Sequence, residues 1–211
     1  MKKCRSGFSL VEMLVVIGIL AVLIGASIGG YSAMTRRAEA ARGRELVSNV
    51  ATALNILFQR QGHWPKRLLT ESQGNGHLTE EASRCLVENG LMSLMRDSST
   101  KKLIGLDRCG IVTPWATTAL KRHSLTDDGL SIRVPSGGTV EDHQLRFALD
   151  DDGDGIVEVR LATKTVKVRT NAAVWCWGMN GKEDDYDASM AGRGHADDIY
   201  SWSYGQVVRG E

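Results

Sequence analysis

Phe8 to Tyr31 reads FSLVEMLVVIGILAVLIGASIGGY, and this stretch decides what kind of chain follows. It is apolar over roughly 24 residues apart from one acid, Glu12. About 20 apolar residues are enough for a helix to cross the hydrocarbon core of a bilayer, so a single membrane span is the first reading. Lys2, Lys3 and Arg5 precede the run. Positive residues beside a span stay on the cytoplasmic side, so the N-terminus is expected in the cytoplasm and the body of the chain outside it. A secretory signal peptide shares the basic start, but its apolar core is about 7–15 residues long and carries no acid.

Glu12 is the informative residue. A carboxylate at the centre of a span costs about 2.5–3.5 kcal/mol on insertion scales, so it marks a function and calls for a partner. Cleavage between Gly7 and Phe8 would create one. The new α-amine has a pKa of about 7.7–8.0, and Glu12 of a neighbouring subunit can neutralise it inside a low-dielectric bundle. Within one straight helix the two groups meet poorly.

Downstream, Thr35 to Arg60 continues a helical pattern: Leu46, Val50, Ala53, Leu54 and Leu57 fall three and four residues apart on one face. Arg36, Arg37, Glu39, Arg42, Arg44 and Glu45 form a solvated side. Gly25, Gly29 and Gly30 sit in the apolar part, where small residues allow close helix approach and weaken helicity. Gly62 and Pro65 end the helix, because proline lacks the amide proton and restricts the residue before it. The expected organisation is a leader over residues 1–7, a transmembrane helical half over 8–31, an amphipathic half over 32–61 and a globular head over 62–211.

Lys and Arg number 26 against 25 Asp and Glu, a formal net charge of +1, so no global field favours nucleic acid. The balance conceals a gradient: cations dominate up to Arg60, whereas acids gather at Asp150–Glu158 and Glu183–Asp198. The cysteines Cys4, Cys85, Cys109 and Cys176 show no CxxC spacing, which argues against a zinc ribbon or thioredoxin-type site. Cys85 and Cys109 are either the ends of a disulfide-closed loop in an oxidising compartment or buried thiols.

In the head, Ser72 to Gly76 reads as a loop and Glu80 to Met95 as the place for a short helix. Gln144 to Leu149 and Ile156 to Leu161 alternate around an Asp-Gly run, which predicts a β-hairpin with an acidic tip, and Thr165 to Arg169 a third strand. Asp150, Asp152 and Asp154 occupy the first, third and fifth positions of an EF-hand-like loop with Gly155 sixth, a spacing that turns oxygens towards one hard cation such as calcium. Position twelve is Leu161 instead of glutamate, so Glu158 at the ninth would have to compensate. The alternative is a solvated turn.

Gly7-Phe8-Ser9-Leu10-Val11-Glu12, followed by Met13 to Ile17, resembles the cleavage and methylation motif of type IV prepilins and type II secretion pseudopilins. The resemblance implies that an inner-membrane prepilin peptidase removes residues 1–7 and methylates the Phe8 amine, and that Glu12 guides docking into a filament. Phe58 to Pro65, Glu88-Asn89-Gly90-Leu91 and Thr113-Pro114-Trp115 are similar, in that order, to the head of the major (G-type) pseudopilin. Val174 to Lys182 and Asp197 to Trp202 resemble the calcium loop of that family. This implies that Asp197 and Asp198, with Asp184, Asp185 or Asp187 and backbone carbonyls, hold one Ca²⁺. The bland alternative is an acidic surface loop.

The fold class expected is α+β: a long N-terminal helix on a small antiparallel sheet with long C-terminal loops. The function the resemblance implies is a pseudopilin-like structural subunit of a type II secretion filament in the bacterial inner membrane, with its head in the periplasm. Its partners would be copies of itself, other pseudopilins, the prepilin peptidase and an assembly platform. A type IV pilus major or minor pilin is the alternative, and a membrane-tethered calcium-binding adhesin presenting Trp175, Trp177 and Trp202 is a rival of another class. No HExxH pair or P-loop occurs in the sequence, so the chain is read as a non-enzyme.

Overall fold

The computed structural model describes residues 10–73, 76–91, 110–122, 129–135, 137–161, 164–184 and 197–208. The chain forms two compact units, Met1–Ala40 and Ala41–Glu211, and the first helix, α1 (Leu10–Gln61), contributes to both. In the first unit Leu10, Leu14, Ile17, Val22 and Met34 are all exposed. A helix apolar on every side is suited to lipid or to other helices. Among the described residues no helix is long and apolar enough to cross a membrane.

In the second unit the apolar stripe of α1 becomes one-sided. Val47, Val50, Ala53, Leu54 and Leu57 are buried, while Arg42, Arg44 and Glu45 are exposed. α1 stops at Gln61, Gly62 takes φ +69 and its amide reaches the Phe58 carbonyl at 2.8 Å, the left-handed exit that glycine allows. Three short helices follow: α2 (Lys66–Gln73), α3 (Glu80–Glu88) and α4 (Pro114–Arg122). Ser72 and Gln73, expected in a loop, instead complete α2, and the Ser72 hydroxyl accepts the Leu149 amide at 3.1 Å. Pro114 opens α4, where a missing amide is harmless. α3 closes with Gly90 at φ +68 and the Leu91 amide on the Leu86 carbonyl.

The strands are β1 (Arg146–Leu149), β2 (Ile156–Arg160), β3 (Thr165–Arg169), β4 (Ala172–Cys176) and β5 (Ile199–Tyr200). They form two antiparallel sheets, ordered β1-β4-β5 and β2-β3. This gives the expected α+β class but corrects the expected hairpin: β1 pairs with β4, placing Phe147 opposite Val174, and β2 pairs with β3. The physical reason lies in burial. β2 and β3 alternate buried and exposed residues, so one face suffices for them, whereas every residue of β4 is buried. Ala172, Val174 and Cys176 face the core shared with α1, Trp115 and Phe147; Ala173 and Trp175 face a second core with Val157, Val159, Val166, Val168 and Trp202. β4 is thus the layer between, and β1 needs it as a neighbour. Trp175 and Trp202 lie inside this second core, which removes them from the exposed surface an adhesin would need.

Gly43 is buried in α1, and a Cβ there would lie 2.8 Å from Ile199 Cδ1 and 3.1 Å from the Trp115 ring. Gly43→Leu is therefore expected to lower the stability of the head by about 1–3 kcal/mol through overpacking, whereas Glu45→Leu, on the exposed side, should stay within about 0.5 kcal/mol of wild type. Urea denaturation of the solubilised chain, followed by tryptophan fluorescence, measures both.

Candidate assembly segment and metal centres

Gly7 and Phe8, the expected processing residues, lie outside the described residues, and Glu12 stands in the first turn of α1 among exposed Val11, Met13, Val15 and Val16. Cys85 is buried, and Cys109, the other end of the disulfide-closed loop considered as one of two alternatives, also lies outside the described residues. Burial and the nearby Glu88 push the Cys85 thiol pKa up. Burial pushes the Cys176 thiol up to about 12, so it is an uncharged core residue.

The loop between β1 and β2 is organised by its own carboxylates. Asp150 is buried and accepts the amides of Gly153 and Gly155 at 2.7 and 2.8 Å, while Asp154 accepts the Ile156 amide at 2.7 Å. Gly153 and Gly155 have φ +79 and +77, a conformation that glycine reaches without penalty. Trp64, just past α1, donates from Nε1 to the Asp150 carbonyl at 2.6 Å, and Gln73 donates to Asp151 at 3.1 Å. One carboxylate oxygen from each of Asp150, Asp152 and Asp154 falls within 4.8 Å of the others. Glu158 stands elsewhere: it lies on β2 and pairs with Lys167 opposite it on β3 at 2.8 Å. The compensating role considered for Glu158 has no geometric counterpart.

The C-terminal loop brings Asp184, Asp197 and Asp198 together by the same criterion; Asp185 and Asp187 lie outside the described residues. Asp198 accepts the Gly178 amide at 2.8 Å, the Asp184 amide at 2.9 Å and the Tyr200 hydroxyl at 3.2 Å. Asp197 accepts the Asn180 backbone amide at 3.2 Å and its side-chain amide at 3.0 Å, and gives its own amide to Asp184 at 3.1 Å. A Cβ on Gly178 would come within 2.0 Å of Asp197 Cγ, so the absence of a side chain there makes room for the carboxyl. Sequence reasoning missed Tyr200 and the Asn180 side chain as holders of this pair, since contacts across a long loop leave no spacing signal. An all-oxygen set of clustered acids suits a hard cation and not a soft metal.

Electrostatics agree with that chemistry. Burial raises the Asp198 carboxyl from 3.8 to about 6, with the Asp184 charge adding to it and the backbone amides opposing it. Burial, then the Asp184 side chain, raises Asp197 as well. A raised acid contributes stability that is full below its unfolded pKa of 3.8 and is lost as pH rises through about 6. At neutral pH the loop therefore holds together charges that a cation would relieve.

Residues 2–28 match the family described as prokaryotic N-terminal methylation motif. The type IV major pilin protein PilE of Neisseria gonorrhoeae is 27% identical over 104 residues, covering 47% of this chain and 60% of that protein. The chain therefore spans less than two thirds of the length of this curated relative. No solved structure matches it.

In metal-free protein the Asp198 carboxyl carbon is expected to titrate by NMR near pH 6, as its burial dictates. Calcium should move that midpoint down, as an adjacent cation favours the charged form. A midpoint below 4.5 in the absence of calcium would contradict this account of the loop.

Proposed function

We propose, from the premise that this chain belongs to the type IV prepilin and pseudopilin family, that it is a subunit of a type II secretion filament. The methylation motif and the pilin relative support the reading as a pilin-like filament subunit; the secretion system, the processing and the cation go beyond them. The observation that carries it is Glu12, fifth from the Gly7–Phe8 bond, in the first turn of a helix whose large apolar side chains from Leu10 to Ile24 are exposed.

In this reading a prepilin peptidase hydrolyses the Gly7–Phe8 bond and the freed amine is methylated. The apolar half of α1 holds the subunit in the inner membrane, N-terminus inward, until an assembly platform adds it to the polymer. Glu12 then lies near the Phe8 amine of an adjacent copy, where the low dielectric strengthens the attraction. The head stays in the periplasm. Ca²⁺ bound by Asp184, Asp197 and Asp198, and in the β1–β2 loop by Asp150, Asp152 and Asp154, supplies order to two loops with few apolar anchors.

The acidic, aromatic C-terminal loop supports the secretion assignment. The similarity to a type IV major pilin favours a second reading, in which the same subunit builds a type IV pilus. Deleting the gene and assaying exoprotein release beside twitching and DNA uptake separates the two: loss of secretion alone fits the first, loss of motility or uptake alone the second.

Membrane-extracted protein is expected, by intact mass and N-terminal sequencing, to begin at a methylated Phe8; a chain still beginning at Met1 would overturn the processing step. For calcium, saturation at about 100 times Kd is worth about 2.7 kcal/mol. This corresponds to a rise of roughly 5–10 °C in the melting midpoint of the head over a chelated sample. An unchanged midpoint would dispose of both cation sites.

A further inference from the structure

His143 is fully buried beneath the C-terminal loop. Trp115 of α4 donates from Nε1 to His143 Nδ1 at 2.8 Å, and His143 Nε2 lies 2.8 Å from the Gly137 carbonyl. An indole N–H can only donate, so Nδ1 must be an acceptor and the single ring proton sits on Nε2, given to Gly137. The neutral ring is therefore fixed in one tautomer by partners on both sides.

Beyond Gly137 the packing is tight. A Cβ on Gly137 would lie 2.5 Å from the Asn180 carbonyl, and one on Gly181 would lie 2.9 Å from the Gly137 carbonyl and 3.1 Å from His143 Nε2. The two turns thus press backbone on backbone, and Asn180 is the residue that holds the Asp197 carboxyl. A continuous series of contacts runs from Trp115 through His143 and Gly137 to Asn180 and Asp197.

We propose that His143 is an acid-sensitive clasp: a proton added to Nδ1 sets N–H against the Trp115 N–H, breaks that bond, and lets the ring shift together with the Gly137 turn, which Nε2–H still holds, against the Asn180–Gly181 turn that shapes the Asp197 loop. The proton comes from solvent and no other bond changes. The charges acting on the ring are Asp142, which favours the proton and already accepts the Thr139 amide and hydroxyl, and Arg146, which opposes it. From α4 the ring meets the Trp115 indole, and from the second turn the Gly181 backbone. Burial, the largest influence, lowers the imidazole below its usual 6.5. A base lowered on folding contributes stability that is full above the unfolded value and is lost as pH falls through the folded one, because the unfolded chain binds the proton more readily. His77, bonded to Gln144, is lowered in the same direction, so the test must isolate His143. The inference does not require a bound cation, and chelator keeps the two questions apart.

In ¹⁵N-labelled, detergent-solubilised full chain with chelator, the Trp115 indole resonance, assigned with Trp115→Phe, is expected to move with a midpoint below pH 6.5 while the head remains folded. An indole signal that stays still until global unfolding, or that moves with a midpoint at or above 6.5, would overturn the clasp. His143→Gln keeps an acceptor and a donor but does not titrate. It is expected to remove at least half of the wild-type loss of melting temperature between pH 7.5 and 5.0, and an undiminished loss counts against the proposal. Should that variant not fold, the indole titration of the wild-type chain decides alone.

Discussion

The burial of one face of α1, from Val47 to Leu57, is the contact on which the rest of the head depends. Among the described residues the other α-helices of the head are eight or nine residues long and its strands two to five. Segments this short are marginal in isolation. They persist because they share a wall: Val50, Leu54 and Leu57 belong to the same buried cluster as Leu68, Leu86, Trp115, Phe147 and Val174. Each such side chain contributes about 1.5–3 kcal/mol when fully buried. Gly43 extends that wall by omission, since only a residue without a side chain admits Ile199 and the Trp115 ring at that distance.

Where apolar burial runs out, carboxylates take over. Asp150 and Asp198 each hold a loop by accepting backbone amides that would otherwise need another partner. The two loops differ in what they ask of those acids. Asp198 is pushed up by its burial, and Asp197 and Asp184 stand beside it, so like charges accumulate where water is scarce. That tension is what the proposed cation would relieve, and the proposed His143 clasp would act on the same loop. The β1–β2 loop is tied instead from outside, through Trp64 and Gln73, to the exit of α1 and the end of α2.

Parts of this were legible in the sequence, for local reasons. The N-terminal motif is a contiguous string, the stripe on α1 follows a period of 3.6, and the alternation in Ile156–Leu161 and Thr165–Arg169 gives two real strands. The acid spacing in Asp150–Gly155 likewise yields a real cluster. The failures concern distance along the chain. Pairing of β1 with β4 is set by a layer buried on both faces, which a run such as AAVWC shares with many buried segments. Glu158 has ligand spacing but is held on β2 by Lys167. Gly43 and His143 leave no local mark, because what makes each necessary arrives from Ile199, Trp115 and Gly137.

The head explains how a subunit keeps its shape; the N-terminal helix explains why it is a subunit. In the proposed reading, Glu12, an acid among exposed aliphatic side chains, pairs with the amine that cleavage would create on an adjacent copy. The most direct measurement is therefore to express Glu12→Val chains in the source bacterium and to follow leader removal and filament yield together. Our account predicts that these chains lose residues 1–7 normally yet are missing from sheared filaments. Filaments at wild-type abundance would contradict it.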